Sequence, residues 1–236
     1  MSGRAVCLIS GGLDSCVTLF IAKEEGYEIH GLSFNYDQVH KKEIRHARMI
    51  GKAAGVKNHV VYHLDKALFH GSSLVDKEIS IPLNRDLKTI GGGSVPSTYV
   101  PARNLVFLSL STAYAEMINA DAVFIGVHAT DYSGYPDCRP EFIESIQQTI
   151  NKGTRRGVEG KPVMIKAPLL YLSKTEIIKK GLKMRVPFDL TWSCYKGEKK
   201  ACGVCDSCLL RLKGFQEAGY PDPVPYQSYP SWYILK

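Results

Sequence analysis

The 236-residue chain contains no long hydrophobic run, no low-complexity tract and no internal repeat. Its most apolar stretch, Leu105 to Ala115, is too short to cross a bilayer and is interrupted by Ser and Thr. Hydrophobic residues still make up 44% of the chain, which excludes disorder for most of its length. The composition therefore predicts one sizeable core, with room for a small appended module.

Acidic residues are in the minority, because 23 Asp and Glu face 30 Lys and Arg and leave a net charge of +7. This excess favours anionic ligands, from nucleotides to RNA, without choosing among them. No secretory signal is visible at the N-terminus, so a cytoplasmic location is expected. In that reducing compartment, the clustered members of the seven cysteines are expected to bind metal rather than form disulfides.

Short apolar segments alternate with amphipathic ones along most of the chain. Strands are predicted at 5–10, 28–34, 59–64, 122–127 and 164–167. Helices are predicted at 14–25, 41–54, 104–117, 140–151 and from Ser173, where the spacing to Glu176 matches a capping box. The alternation indicates an α/β fold with a parallel twisted sheet, Rossmann-like, covered by helices on both faces.

The segment 71–101 interrupts this pattern with clustered Gly and Pro, and is either a loop over a site or a mobile surface excursion. Beyond Pro187 the composition changes, first to cysteine-rich and then to Pro/Tyr-rich. We accordingly divide the chain into a main α/β domain (1–190), a cysteine-rich segment (191–220) and a tail (221–236).

A turn suited to phosphate lies between the first strand and the first helix. It has the sequence Ser10-Gly11-Gly12-Leu13-Asp14-Ser15. Glycines allow close approach of backbone amides to an anion, and the following helix adds its positive end. A carboxylate there repels phosphate unless it caps the helix or holds Mg²⁺, so Asp14 indicates one of these roles. A Walker-type loop and a dinucleotide fingerprint are both absent from the sequence.

Four cysteines near the end of the chain are spaced C-x7-C-x2-C-x2-C. They are Cys194, Cys202, Cys205 and Cys208. Four thiolates at this spacing predict a structural zinc site, with an iron–sulfur cluster as the alternative. Of the remaining three, Cys7 and Cys16 are expected in the core, and Cys138 in a polar turn is expected to be a packed thiol.

The S-G-G-x-D-S turn resembles that of the PP-loop ATP pyrophosphatases, which cleave ATP between its α and β phosphates and pass AMP to a substrate oxygen. This resemblance implies a nucleotide site over Leu8, Ile9, Ser10, Gly11, Gly12, Leu13, Asp14, Ser15, Cys16, Val17 and Thr18. Physically, Ser10, Ser15 and the loop amides suit developing charge on pyrophosphate, with Mg²⁺ near Asp14. Arg103 and Lys174 are the candidate cations on the phosphates, and the alternative for Lys174 is a solvated helix charge.

Further segments resemble one family of this class, the 7-cyano-7-deazaguanine synthases. They are 33–40, 98–104, 131–140, 168–174 and the cysteine segment, in order and in spacing. The resemblance implies adenylation of 7-carboxy-7-deazaguanine, displacement of AMP by ammonia, and a second activation that leaves the nitrile used for queuosine or archaeosine. It also implies one zinc ion and a homodimer. No glutaminase segment is visible, so ammonia is expected from solution or from another chain.

Acids and tyrosines after a strand end suit a deazaguanine ring, because an Asp accepts from ring N–H groups and an aromatic side chain stacks. The candidate substrate residues are Tyr36, Gln38, Asp131, Tyr132, Ser133, Tyr135, Asp137 and Arg139. Two other functions remain open: a tRNA-modifying PP-loop enzyme with Cys138 as sulfur carrier, and a zinc-stabilised nucleic-acid-binding module. The predicted partners are small molecules, with no membrane and no direct nucleic acid.

Overall fold

The computed structural model describes residues 3–36, 42–90, 95–128 and 134–234. Five parallel strands form one sheet in the order β3-β2-β1-β4-β5. They are β1 Arg4–Leu8, β2 Glu28–Asn35, β3 Asn58–His63, β4 Ala122–Phe124 and β5 Met164–Lys166. The predicted parallel sheet is therefore confirmed.

Seven helices of the described part connect and cover these strands. They are α1 Leu13–Glu24, α2 Lys42–Ala54, α3 Arg103–Met117, α4 Pro140–Gly153, α5 Arg155–Val158, α6 Lys174–Lys183 and α7 Asp206–Ala218. The capping box of α6 is present, because Ser173 Oγ accepts from the Glu176 amide and the Glu176 carboxylate accepts from the Ser173 amide. No helix among the described residues is both long and apolar enough to cross a membrane.

Two hydrophobic cores lie on opposite faces of the sheet. Alternate residues of β1 point to each: Ala5 and Cys7 pack toward α1, α2 and α6, while Val6 and Leu8 pack toward α3 and α4. This alternation follows from the two-residue period of a strand, and it explains why the central strand reads as continuously apolar. Helices on both faces were predicted, and Cys7 and Cys16 are fully buried in the first core as expected.

A third, smaller core surrounds the four clustered cysteines. Trp192 and Leu212 belong to it, and so do Val224 and Tyr226 from the Pro/Tyr-rich tail. The tail is held by backbone hydrogen bonds, including Ala201 N–H to Pro225 O at 2.9 Å and Gln227 N–H to Ala201 O at 2.8 Å. The tail therefore covers the cysteine segment.

Strand β4 is shorter than predicted. Only Ala122–Phe124 pair in the ladder, although the apolar run continues to Val127. The chain leaves the sheet at Gly126, which lies so close to α1 that a Cβ there would be 2.9 Å from Asp14 C and from Ser15 N. This close approach places the end of β4 beside the glycine-rich turn.

Candidate active site at the carboxyl end of the sheet

The Ser10–Ser15 turn is organised by its own serines. Ser10 Oγ and Ser15 Oγ lie 2.9 Å apart, and the Gly12 amide donates to Ser10 Oγ at 3.2 Å. Gly11 has φ +88°, and a Cβ there would lie 2.4 Å from the Glu43 carbonyl oxygen, so this position requires glycine. The turn therefore lies directly at the amino end of α1, a position that favours an anion.

Asp14, Lys174 and His128 form a charged cluster next to this turn. Lys174 Nζ donates to both carboxylate oxygens of Asp14, at 2.7 and 2.8 Å, and lies 3.0 Å from His128 Nε2. Burial raises the pKa of Asp14, but the Lys174 ammonium and His128 lower it by more than burial raises it. The net pKa is below the ordinary value, so the carboxyl stays ionised. Lys174 is only 13% exposed, so it is not a solvated helix charge.

A cavity of about 340 Å³ extends from the turn over the carboxyl ends of β1, β2 and β4. In open parallel α/β sheets ligands bind at this position. Of the predicted nucleotide-site residues, Leu8, Ile9, Ser10, Gly12, Leu13, Asp14 and Ser15 line it. Gly11 lies at its base, hydrogen-bonded through its carbonyl to the Trp192 amide at 2.8 Å. Cys16, Val17 and Thr18 are buried in α1 below the turn.

Arg103 lies on the wall formed by the start of α3. Its guanidinium donates to Tyr36 Oη at 3.3 Å, and both side chains line the cavity. The preceding Ala102 has φ 53°, a left-handed conformation that strains a residue with a Cβ, and its amide donates to Tyr99 Oη at 2.9 Å. Burial raises the pKa of Tyr36, so its hydroxyl stays protonated.

The far wall combines the segment 71–101 with the cysteine segment. Tyr135 Oη lies 2.7 Å from Thr98 Oγ1 and is hydrogen-bonded to Tyr195. Among the described residues of 71–101, five line the cavity: Leu74, Arg85, Ile90, Pro96 and Thr98. Of the two interpretations of this segment, the structure therefore supports the loop over a site.

The predicted substrate residues are spread over different environments. Tyr36 and Tyr135 line the cavity. Asp137 is buried, and its Oδ2 already accepts a hydrogen bond from the Asn104 amide at 2.9 Å. Arg139 is exposed at the start of α4. Gln38, Asp131, Tyr132 and Ser133 lie outside the described residues.

Cys138 is also buried at the cavity edge, with Asn104 Nδ2 3.3 Å from its sulfur. Burial raises the pKa of Cys138 to about 12, so at neutral pH it is a thiol. It is therefore a packed thiol, as expected, and it lacks the thiolate character of a sulfur carrier.

The four clustered cysteines are all buried, and their sulfurs lie within 4.8 Å of one another. Cys202 Sγ and Cys208 Sγ are 3.9 Å apart, close to the ~3.8 Å sulfur separation of a tetrahedral zinc–thiolate site. Hydrogen bonds from the neighbouring thiols of Cys194, Cys205 and Cys208 lower the pKa of Cys202. The donor set and its spacing therefore fit a four-coordinate metal ion.

Sequence reasoning missed several cavity residues. Five residues that line the cavity were given no role: Arg85, His128, Trp192, Tyr195 and Asp206. Their pairings span long stretches of chain: Arg85 Nη1 donates to Asp206 Oδ2 at 3.0 Å across 121 positions. No local pattern could have signalled such contacts.

The parallel sheet and the glycine-rich turn at the end of its first strand define a PP-loop ATP pyrophosphatase. In agreement, a 4-thiouridine synthetase solved as an RNA complex with bound ATP shares the fold, with a TM-score of 0.50 and 18% identity over 95% of this chain and 47% of that chain. The model of the family described as "Queuosine biosynthesis protein QueC" matches residues 4–219, and the chain belongs to this family.

Curated relatives agree over nearly their whole length. The 7-cyano-7-deazaguanine synthase of Acetivibrio thermocellus is 53% identical over 94% of this chain and 97% of its own. The 7-cyano-7-deazaguanine synthase of Picrophilus torridus is 51% identical over 98% of this chain and 94% of its own. The family resemblance drawn from the sequence is confirmed.

Proposed function

We propose that the chain is an ATP-dependent carbon–nitrogen ligase that converts 7-carboxy-7-deazaguanine and ammonia into 7-cyano-7-deazaguanine. The observation that carries this proposal is the glycine-rich turn with its Asp14–Lys174–His128 cluster opening into the cavity. The names of the relatives that match over nearly the whole chain support the choice of substrate.

Adenylation of a carboxylate releases pyrophosphate, so negative charge grows on the departing phosphates. The hydroxyls of Ser10 and Ser15 and the amides of the turn are the donors that we assign to that charge, because they are already ordered at the amino end of α1 before reaction. Lys174 places a positive charge beside the same turn. Arg103 places a second positive charge on the opposite wall of the cavity. Mg²⁺, when bound, would neutralise the phosphates, and Asp14 is the carboxylate that would hold it.

Two activations follow one another in this proposal. AMP passes first to an oxygen of the carboxylate, and ammonia attacks the acyl carbon and expels AMP to give the amide. AMP then passes from a second ATP to the amide oxygen, and loss of AMP with two protons leaves the nitrile. Both steps need the same geometry, an oxygen nucleophile in line with the α-phosphate, so one turn serves both.

The substrate ring is assigned to the wall opposite the turn. Tyr36, Tyr135 and the unplaced residues Gln38, Asp131, Tyr132 and Ser133 stay in our proposed substrate set. Asp137 and Arg139 stay in it as well, and Asp137 in addition fixes the start of α3 and thereby the position of Arg103. Aromatic walls with few polar groups are typical of sites that bind planar heterocycles.

We further propose zinc as the ion at the four cysteines, one per chain. Four thiolates complete its coordination and leave no open position for catalysis, so its role is structural. A cytoplasmic homodimer that acts on small molecules, without direct contact to nucleic acid, is the remaining part of the proposal. The burial and raised pKa of Cys138 argue against the tRNA-thiolating alternative.

Mass spectrometry tests the proposal. Pure protein is incubated with 7-carboxy-7-deazaguanine, ammonium and magnesium ATP, and the nitrile, AMP and pyrophosphate should appear only in the complete mixture. Asp14→Ala is the control for adventitious ATPase activity. Turnover that instead required tRNA and a sulfur donor would refute the assignment.

A further inference from the structure

Asp206 presents a carboxylate oxygen that lacks a donor. It is the first residue of α7, directly after Cys205, and its side chain is only 9% exposed. Oδ2 accepts from Arg85 Nη1 at 3.0 Å, but buried Oδ1 has no hydrogen-bond partner among the described residues. A buried charged oxygen without a donor is costly, so a missing donor is the physical expectation.

A ligand in the cavity can supply the missing donor, because Asp206 lines the cavity that begins at the Ser10–Ser15 turn. Ser207 and Tyr195 lie beside it in the same wall. The other acids considered for ligand recognition are engaged, Asp14 by Lys174 and Asp137 by the Asn104 amide. Among these carboxylates of the described chain, Asp206 is the one with an open acceptor.

We propose that Asp206 recognises the substrate by accepting hydrogen bonds from the ring N–H and exocyclic amine of its guanine-like edge. The inference rests on the proposed function and deepens it. A carboxylate offers about four acceptor positions, so Oδ1 and the free side of Oδ2 can receive both donors while Arg85 keeps its bond. A site built this way rejects an analogue that lacks one donor.

Arg85 acts as the positioning residue for this carboxylate. It donates to Asp206 through Nη1 and to the Thr89 carbonyl through Nη2 at 2.6 Å, which ties the loop 71–101 to α7. Its charge also compensates the buried carboxylate. The backbone supports the same link, since the Asn84 amide donates to Val204 O at 2.8 Å. These contacts with Asn84 and Arg85 therefore hold the start of α7 at the substrate wall.

The test compares two acids in wild type, in Asp206→Asn and in a control variant. The acids are 7-carboxy-7-deazaguanine and 7-carboxy-7-deazahypoxanthine, which lacks the exocyclic amine. Wild type should prefer the first by roughly 10- to 100-fold in kcat/KM. In Asp206→Asn this preference should fall about tenfold, with a raised KM for the acid and an unchanged KM for ATP. Asp121→Asn, half exposed at the opposite end of β4, is the matched control and should behave as wild type.

Metal content is measured in every protein, because Asp206 adjoins Cys205. Arg85→Gln gives an independent test and should reduce the preference in the same direction while all four cysteines stay intact. An equal loss of rate with both acids, or a full preference in both variants, overturns the inference and leaves the proposed function standing. Absence of turnover of either acid by wild type defeats the proposed function itself.

Discussion

Lys174 Nζ lies 2.7 and 2.8 Å from the two carboxylate oxygens of Asp14, so the start of α6 is joined to the start of α1. The pair places a cation and an anion beside the turn that we propose binds the phosphates of ATP. When phosphates and Mg²⁺ enter, Lys174 can pair with a phosphate and Asp14 with the Mg²⁺ ion. Neither charge is then left buried without an opposite charge beside it.

Lys174→Met should therefore lower kcat/KM for ATP by about 100-fold or more, the usual effect of removing one preorganised donor from a developing charge. Lys179→Met is the matched control, since Lys179 lies on the exposed face of the same helix. This substitution should leave kcat/KM for ATP unchanged. Steady-state release of pyrophosphate measures both. Equal activity of the two variants would show that Lys174 serves packing alone.

The thiols provide a second prediction, because their environments differ. Burial raises the pKa of Cys16 and of Cys138 to about 12, and Cys7 is fully buried as well. A thiol reagent at about pH 8 should therefore label almost nothing in the metal-loaded protein. After chelation it should label four cysteines rather than seven. Peptide mapping checks which sites react, and early labelling of Cys138 contradicts the interpretation of that residue as a packed thiol.

A third prediction concerns the link between the cysteine segment and the nucleotide turn. Trp192 donates its amide to the Gly11 carbonyl at 2.8 Å and stacks on His46 with ring centroids 5.6 Å apart. Removal of the metal should loosen this segment, because the ion supplies part of its folding free energy. The affinity for ATP should fall on chelation and recover on addition of zinc.

Fluorescence reports on the same event. Both tryptophans of the chain, Trp192 and Trp232, pack in the cysteine core, so their emission should shift to the red when the metal leaves. Elemental analysis confirms that the ion has gone. An unchanged emission and an unchanged affinity for ATP in the metal-free protein would rule out the link.

The strands and most helices could be predicted because their hydrophobic period is local. Helix α7 was missed, since its first turns carry cysteine ligands and its stability comes from packing against α6 and the third core. The packing of the tail over the cysteine segment could not be predicted either. Val224 and Tyr226 pack against the cysteine segment, and no local period in the tail indicates these partners.

The proposed nucleotide turn could be recognised from the sequence because a tight turn, an anion and a helix start impose residue types on six consecutive positions. The residues of the far cavity wall could not be predicted in this way. Arg85 and Asp206 meet across 121 residues, and the sequence around each resembles an ordinary polar loop or helix start. Asp137 is equally long-range, because its carboxylate accepts from the Asn104 amide 33 residues away, which its own sequence neighbourhood does not indicate.

Acid stability gives a fourth prediction. Glu28 bridges β2 to its neighbours, and the hydrogen bond from Lys57, with those of His30 and Arg4, lowers its pKa from 4.5 to about 2. Because the folded pKa is depressed, this stabilisation is fully present above pH 4.5 and is lost as the pH falls toward 2. Glu28→Gln should therefore lower the thermal midpoint at neutral pH and converge with wild type near pH 2. Glu159→Gln, which removes an exposed ion pair with Arg155 at the end of α5, should show little effect at any pH.

The final prediction tests the close approach behind the turn. A Cβ at Gly126 would lie 2.9 Å from the backbone of Asp14 and Ser15, and backbone atoms cannot move aside as a flexible side chain can. Gly126→Ala should therefore displace the start of α1, reducing kcat/KM for ATP by about tenfold or more and lowering the thermal midpoint. Gly153→Ala is the matched control, because nothing lies within 4 Å of its added Cβ. If the two variants bind ATP equally well, the contact between the end of β4 and the nucleotide turn does not set the geometry of the site.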